Sequence, residues 1–356
     1  MAEMTSRERV FAALERREPD TVPMLEWSVS PVVREAIMPG RSYGDFLDEI
    51  DLDAVMIGFG YAFLQGAEWL DEEKKVFRDN WGVTRAFTAE DIAYPMEGPI
   101  KTPEDLKRYT PPDPNAEGVL GDFPALVERF KGKKAIMWIG RDSFINPSYL
   151  RGLDKLLMDF IENPALAHEL AEMSVAYSKI VFKRAIEAGA EIIMMGDDYA
   201  SKKGPHMSPA HFREFVFPGL KELVDHIHDC GAYVVKHTDG NIWPIFDQIV
   251  ESGVDAVNPI EPTAGMDIGE VKAQFGDRVC VVGNVDCGAT LCTEPVEAVV
   301  QEVKECIRKA SPGGGHILSS SNSIQSGVRP ENFLALIEAG RRYGAYPIKV
   351  DRDQGR

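Results

Sequence analysis

Eight short apolar runs, each closing on polar residues and each separated from the next by other chain, mostly helical in pattern, constrain this protein more than any other feature. They span 21–28, 53–60, 134–144, 191–200, 232–240, 255–262, 279–288 and 316–324. Short apolar runs that alternate with helices build parallel βαβ units. The runs are continuously apolar, so their strands are expected to be covered on both faces. EAGAE, DCGAY and ESGVD repeat one device, a helix that stops at Gly just before the next strand. Eight such units predict a single (β/α)8 TIM-barrel domain over residues 1–356, preceded by an amphipathic helix within 1–20 that Thr5 or Ser6 caps. The competitor is an open doubly wound sheet, but no G-x-G-x-x-G follows an early strand. Residues 61–133 are too long for one crossover. They hold WLDEEKKVFRDNWGV, a short β excursion, and the proline-rich YTPPDPNAEG, which predicts an insertion after the second strand.

Charge narrows the function. A formal net charge of −18 opposes binding to a phosphate backbone and docking on anionic membranes, so neither nucleic acid nor membrane is an expected partner. No apolar run approaches the roughly 20 residues of a membrane span, and the N-terminus lacks the apolar core of a signal peptide. The five cysteines, at 230, 280, 287, 292 and 306, are odd in number and read as thiols. Together these features predict a cytoplasmic protein.

Barrels of this kind build their sites at the C-terminal ends of the strands. The first run offers Glu26 and Trp27, and the second leads to Phe59 and Tyr61. The third offers Arg141 and Asp142, and the fourth Asp197 and Asp198. His237 and Asp239 end the fifth, Glu261 the sixth, Asn284, Asp286 and Cys287 the seventh, and Ser321 and Asn322 the eighth. Carboxylates crowded at one mouth cannot all stay ionised without a cation or shared protons. That crowding argues for a bound metal, with a metal-free acid–base cluster as the alternative. Asp197 and Asp198 could hold substrate or a proton, or could cap the following loop. Trp27, Phe59 and Tyr61 could line a pocket for an aromatic substrate, or could be core residues.

Five stretches between Gly204 and Gly344 carry a resemblance: GPHMSPAHFREFVFPGLKELVD, KHTDGNIWPIFDQIVESGVDAVNPIEP, VVGNVDCGATL, PGGGHILSSSNSI and VRPENFLALIEAGRRYG. They resemble the uroporphyrinogen decarboxylase superfamily, in its branch of corrinoid-dependent methyltransferases. The opening TSRERVFAALERREPDTVP is similar to the start of that family, and the resemblance is weakest over 61–133. It implies the same barrel. The decarboxylases grip the carboxylates of their substrate with an Arg-rich N-terminal motif, whereas the equivalent stretch here, VPMLEWSVSPVV, has no Arg. Thiol-methylating members hold zinc with a His-x-Cys pair and a distant Cys. Here the fifth run has His237-Thr238-Asp239, and the eighth has no Cys. The chain looks more like the ether-cleaving methyltransferases of O-demethylase systems.

The resemblance therefore implies methyl transfer from a methoxylated aromatic to Co(I) of a cobalamin, the corrinoid being carried by a partner protein. The expected zinc or similar divalent ion would take His237, Glu261 and Cys287 as ligands, from three successive strand ends. Asp239 is either a fourth ligand or a partner that fixes the imidazole. Asp197, Asp198 and Asp239 are the candidate proton donors, and Glu26, Trp27, Phe59, Tyr61, Arg141 and Asn322 the candidate substrate contacts. Related barrels also form homodimers. Other donors or acceptors, namely a methylamine, methanol or a thiol, remain within the same branch, and a decarboxylase-type lyase is the reading from another class.

Overall fold

The apolar runs become strands of one parallel sheet in a computed structural model that describes residues 3–57, 66–87 and 93–348. The second run gives β1 (Ala54–Ile57). Four antiparallel strands follow: β2 (Glu68–Asp71), β3 (Val76–Arg78), β4 (Thr84–Phe87) and β5 (Ala93–Glu97). The chain returns through helices Pro103–Arg108 and Phe123–Phe130 to β6 (Ala135–Gly140). Three helices separate β6 from β7 (Ile192–Gly196), the longest being Pro164–Glu187. A small hairpin of β8 (Ala200–Ser201) and β9 (Gly204–Pro205) follows β7. The remaining strands are β10 (Tyr233–His237), β11 (Ala256–Asn258), β12 (Cys280–Val282) and β13 (His316–Ile317). Strands β1, β6, β7, β10, β11, β12 and β13 pair in that order, all in parallel.

The first run departs from expectation. Residues 21–28 lie between β13 and β1 but make isolated bridges, Thr21 to Ala345 and Met24 to Leu318, and Val29 just beyond them bridges to Ile324. Leu318 donates to Pro23 O and Leu25 donates to Leu318 O on one side, and Asp53 donates to Met24 O on the other. Proline has no N–H to give, so Pro23 interrupts any regular ladder. Residues 21–28 close the barrel as its eighth stave without forming a strand of their own.

Side-chain alternation sorts each strand into two faces. Met137, Ile139, Ile192, Met194, Val235, Ala256, Cys280, Val282 and Ile317 fill the barrel interior. Ile136, Trp138, Ile193, Met195, Val234, Val257 and Val281 pack outward against the helices. Helix Ser6–Leu14, capped by Thr5, adds Val10, Ala13 and Leu14 to the inner cluster. Arg7 pairs with Glu191, just before β7, and Phe11 packs on Tyr233 at the start of β10. The helix thus plugs the end where the strands begin and leaves the other end to the site.

Candidate functional site

The same alternation decides which strand-end residues reach the mouth. Val235 faces inward, so His237 does too, while Lys236 between them faces the helices. On β7, Met194 faces inward and Met195 outward, which sends Asp198 to the mouth and Asp197 to the helix layer. β7 and β10 are neighbours with His237 level with Gly196, so Asp198 and Asp239 both arrive beside the imidazole.

His237, Asp198 and Asp239 bring one donor atom each to within 4.8 Å of one another. His237 Nε2 lies 3.9 Å from Asp198 Oδ1 and 3.7 Å from Asp239 Oδ1. His237 Nδ1 is 2.6 Å from Asn258 Oδ1, an amide oxygen that accepts. The Nδ1 proton therefore points at Asn258, and in the neutral ring the Nε2 lone pair faces the carboxylates. Trp27 stacks on the imidazole at 5.4 Å and holds its plane. Asn322 Nδ2 donates to Asp239 Oδ2 at 2.6 Å, and Asp239 N donates to Asp198 Oδ1 at 3.1 Å. Gly240, at φ +90, makes the turn after Asp239 against the β8–β9 hairpin; a Cβ there would meet Ala200 C at 2.7 Å.

Asp239 carries two marks of an open ligand position. Its Oδ1 is buried and accepts no hydrogen bond. Burial pushes its carboxyl up to about 6; the His237 charge opposes this, while Asp198 and Glu261 add to it. A cation between the three side chains would pair the orphan oxygen and relieve the repulsion. Zinc bonds of about 2.0–2.1 Å at tetrahedral angles set donor atoms roughly 3.3–3.4 Å apart, so the two separations from His237 Nε2, 3.9 and 3.7 Å, need close by only about half an ångström. Two carboxylates and one imidazole form a donor set that suits zinc or a similar divalent ion.

This set differs from the expected His237, Glu261 and Cys287. His237 is common to both, and Asp239 stands where a fourth ligand or a partner of the imidazole is expected. Glu261 is nearby, but Oε2 accepts from Gly240 N at 2.8 Å and Oε1 from Thr263 Oγ1 at 2.6 Å. Cys287 is five residues past the end of β12, where Ser321 Oγ and Gln325 Nε2 contact its sulfur at 3.5 and 3.7 Å. Burial pushes that thiol up to about 11. A strand end identifies the strand but not how far the loop carries a residue beyond it.

The other expected residues divide in the same way. Asp197 is fully buried and accepts from the backbone N–H groups of Asp142, Phe144 and Ile145 at 3.1, 3.1 and 2.7 Å. It thereby caps helix Ile145–Arg151. Burial, with Asp142 beside it, pushes Asp197 well above the usual carboxylate range. Burial pushes Asp142 up, but Lys236, 2.9 Å away, together with hydrogen bonds from Asp197 and Tyr199, outweighs this and holds it low. Arg141 donates to Gly196 O beneath the mouth. Glu26 is buried under Ser320 and pushed by desolvation up to about 8. Phe59 and Tyr61 lie outside the described residues.

A cleft of about 560 Å³ opens beside Asp198, walled by Met96, Phe144, Tyr149, Leu153 and His206. One side comes from β5 of the antiparallel excursion and the other from the helix that Asp197 caps. Asn258 and His206 complete the site beyond the expected residues. Asn258 has a legible signal, a polar residue at a strand end in register with His237; His206 lies just past the hairpin and has none.

Comparison with known proteins gives a consistent picture. The family described as uroporphyrinogen decarboxylase (URO-D) matches residues 79–343. The uroporphyrinogen decarboxylase of Methylococcus capsulatus is 26% identical over 258 residues, covering 68% of this chain and 70% of that protein. That of Colwellia psychrerythraea is 26% identical over 262 residues, covering 69% and 70%. A solved structure, a methyltransferase from Methanosarcina mazei, superposes with a TM-score of 0.74 at 21% identity, covering 96% of this chain and 99% of that one.

Proposed function

The chain belongs to the uroporphyrinogen decarboxylase family, and from that premise we propose that it is a methyltransferase of the corrinoid-dependent branch. It removes the methyl group of a methoxylated aromatic and passes it to Co(I) of a corrinoid protein seated over the mouth. The observation that carries this reading is the trio His237, Asp198 and Asp239, with a buried carboxylate oxygen left over, beside a cleft with aromatic walls.

The trio would hold a divalent ion, zinc being the best fit, and such an ion supplies a Lewis acid for charge developing on an ether oxygen. Asn258 keeps the His237 proton on Nδ1, and Trp27 keeps the ring in plane. Tyr149 and Leu153, both partly exposed, offer apolar surface to an aromatic ring.

Two other readings have support. A methylamine, methanol or thiol would use the same trio with a different donor or acceptor. The names of the curated relatives favour decarboxylation. Against it, VPMLEWSVSPVV holds no Arg, and a mouth with Asp198, Asp239 and Glu261 repels a polycarboxylate. The deciding experiment incubates the full chain with reduced cobalamin and a panel of methoxybenzoates and methoxyphenols, following the visible spectrum. Conversion of Co(I) to methyl-Co(III), lost in His237→Ala together with bound zinc, is expected. Conversion with methanol or methylamine but no methoxyarene would move the reading to the second donor class. Carbon dioxide release from uroporphyrinogen without methyl transfer would replace it by the lyase.

A further inference from the structure

Proton counting at Glu26 points to a role that its sequence position does not reveal. Glu26 Oε1 accepts the Ser320 backbone N–H at 2.9 Å, and Oε2 lies 2.6 Å from Ser320 Oγ. The same Oγ lies 2.6 Å from the carbonyl oxygen of Asn322. A serine hydroxyl has one proton, and a carbonyl can only accept. The Ser320 proton is therefore committed to Asn322, and the contact with Oε2 needs a proton from the acid. The two carboxyl oxygens match this: one faces a donor, as a C=O should, and the other faces an oxygen with a free lone pair.

We infer that Glu26 is held as a neutral acid that donates to Ser320, and that it is a positioning residue for Asp239 through Ser320 and Asn322. The chain of contacts is continuous. Ser320 holds the Asn322 backbone, Asn322 Oδ1 accepts from Ser323 N at 2.6 Å, and this leaves Nδ2 aimed at Asp239 Oδ2 at 2.6 Å. No lysine or arginine pairs with Glu26 among the described residues. Besides Ser320, the titratable group that feels its charge is the Cys287 thiol, which is itself neutral at ordinary pH. Burial of Glu26 favours the same protonation state. If Glu26 ionised, Ser320 would turn its proton back to the carboxylate, and Asn322 would lose its anchor.

The role in ligand positioning rests on reading the trio as a metal centre, but the protonation state does not. The infrared difference spectrum of the full chain, wild type minus Glu26→Gln, should show a protonated-carboxyl C=O band near pH 7, with the contribution of buried Asp197 cancelled. That difference band should fade by about pH 9. Zinc titration is the second readout. Glu26→Gln keeps a C=O for Ser320 N and an N–H for Ser320 Oγ, so it should match the wild type near pH 7. Between about pH 7 and pH 9 the wild type should lose roughly fivefold in zinc affinity relative to Glu26→Gln, the worth of one hydrogen bond. Ser320→Ala should show that loss already at pH 7. A missing band near pH 7, or identical pH profiles for wild type and Glu26→Gln, would overturn the inference. If neither protein binds zinc, the metal reading falls, and the infrared band alone decides the state of Glu26.

Discussion

A buried Asn at 2.6 Å from His237 Nδ1 does more than fill space, because the imidazole has two tautomers and only one leaves Nε2 free for a metal. Asn258→Leu keeps the volume and removes the acceptor, so zinc affinity should fall about 10- to 100-fold, as read by competition with a chromogenic chelator. Asn258→Asp, which retains an acceptor, should lose far less. Equal affinity in the wild type and Asn258→Leu would show that the ring is held by Trp27 alone. The residues of the trio were only partly separable in the sequence. His237 and Asp239 stand out as a polar pair closing an apolar run. Asp197 and Asp198 look alike there, and only the inward or outward phase of β7 makes one a mouth residue and the other a helix cap. Glu261 and Cys287 drew notice by residue type, yet their loops engage one in backbone contacts and bury the other against Ser321 and Gln325. Loop paths depend on packing that no local pattern encodes.

At the scale of elements, two buried polar devices connect the chain's less regular parts to the barrel. The first sits in the antiparallel excursion. Asp79 accepts from Trp81 N and Val83 N, both at 2.9 Å, and pairs with Arg85 at 2.5 Å. Arg85 in turn lies over the ring of Tyr149, a wall of the cleft, at 4.7 Å. Asp79→Ala takes the carboxylate from buried Arg85, which keeps Ala93 O at 3.4 Å, and leaves Trp81 N and Val83 N without their acceptor, a change that costs about 3 kcal/mol. The cost should appear locally: faster proteolytic cleavage within 66–97 and weaker binding of an aromatic ligand, with a smaller change in global Tm. A uniform loss of Tm without local cleavage would mean that the excursion unfolds only with the barrel. The second device is His316 on β13. Nε2 donates to Gly283 O at 2.9 Å and Nδ1 accepts from Ser311 Oγ at 2.7 Å, and burial depresses the imidazole to about 4. The unfolded ring titrates near 6.5, so the unfolded chain binds the extra proton first as pH falls. The stability contributed by neutral His316 is complete above about pH 6.5 and is lost towards pH 4, at most about 3 kcal/mol. His316→Gln should flatten the urea-unfolding free energy across that window, and an unchanged slope would place the acid sensitivity elsewhere.

For the whole molecule the open question was closure. Apolar runs and helical spacers made the barrel legible, because continuous strand hydrophobicity and Gly-ended helices are local signals that add up over eight units. They could not show that the first unit would lack a ladder, since one proline suffices to remove a donor there. A buried carboxylate compensates. Asp53, fully buried just before β1, accepts from Met24 N and from Arg341 Nη2, each at 2.8 Å. Arg9 of the N-terminal helix approaches its other oxygen at 3.6 Å. One side chain therefore joins the first stave, the plugging helix and the last helix, Pro330–Tyr343, at the seam between the start and the end of the chain. Asp53→Ala leaves Met24 N without its acceptor, while Arg341 retains Asp51 at 2.5 Å and Arg9 retains Asp20 at 2.7 Å. The cost should thus be about 2–4 kcal/mol, below that of a fully stranded buried charge. Hydrogen exchange should quicken most at Met24 and Leu25, because the seam opens before the β6–β7–β10 ladder does. Asp53→Asn, which still accepts from Met24 N, should recover part of the stability. If exchange at Met24 stays as slow in Asp53→Ala as in the wild type, the backbone bonds of the first stave to Leu318 and to Asp53 N close the barrel, and the seam carboxylate contributes only charge balance.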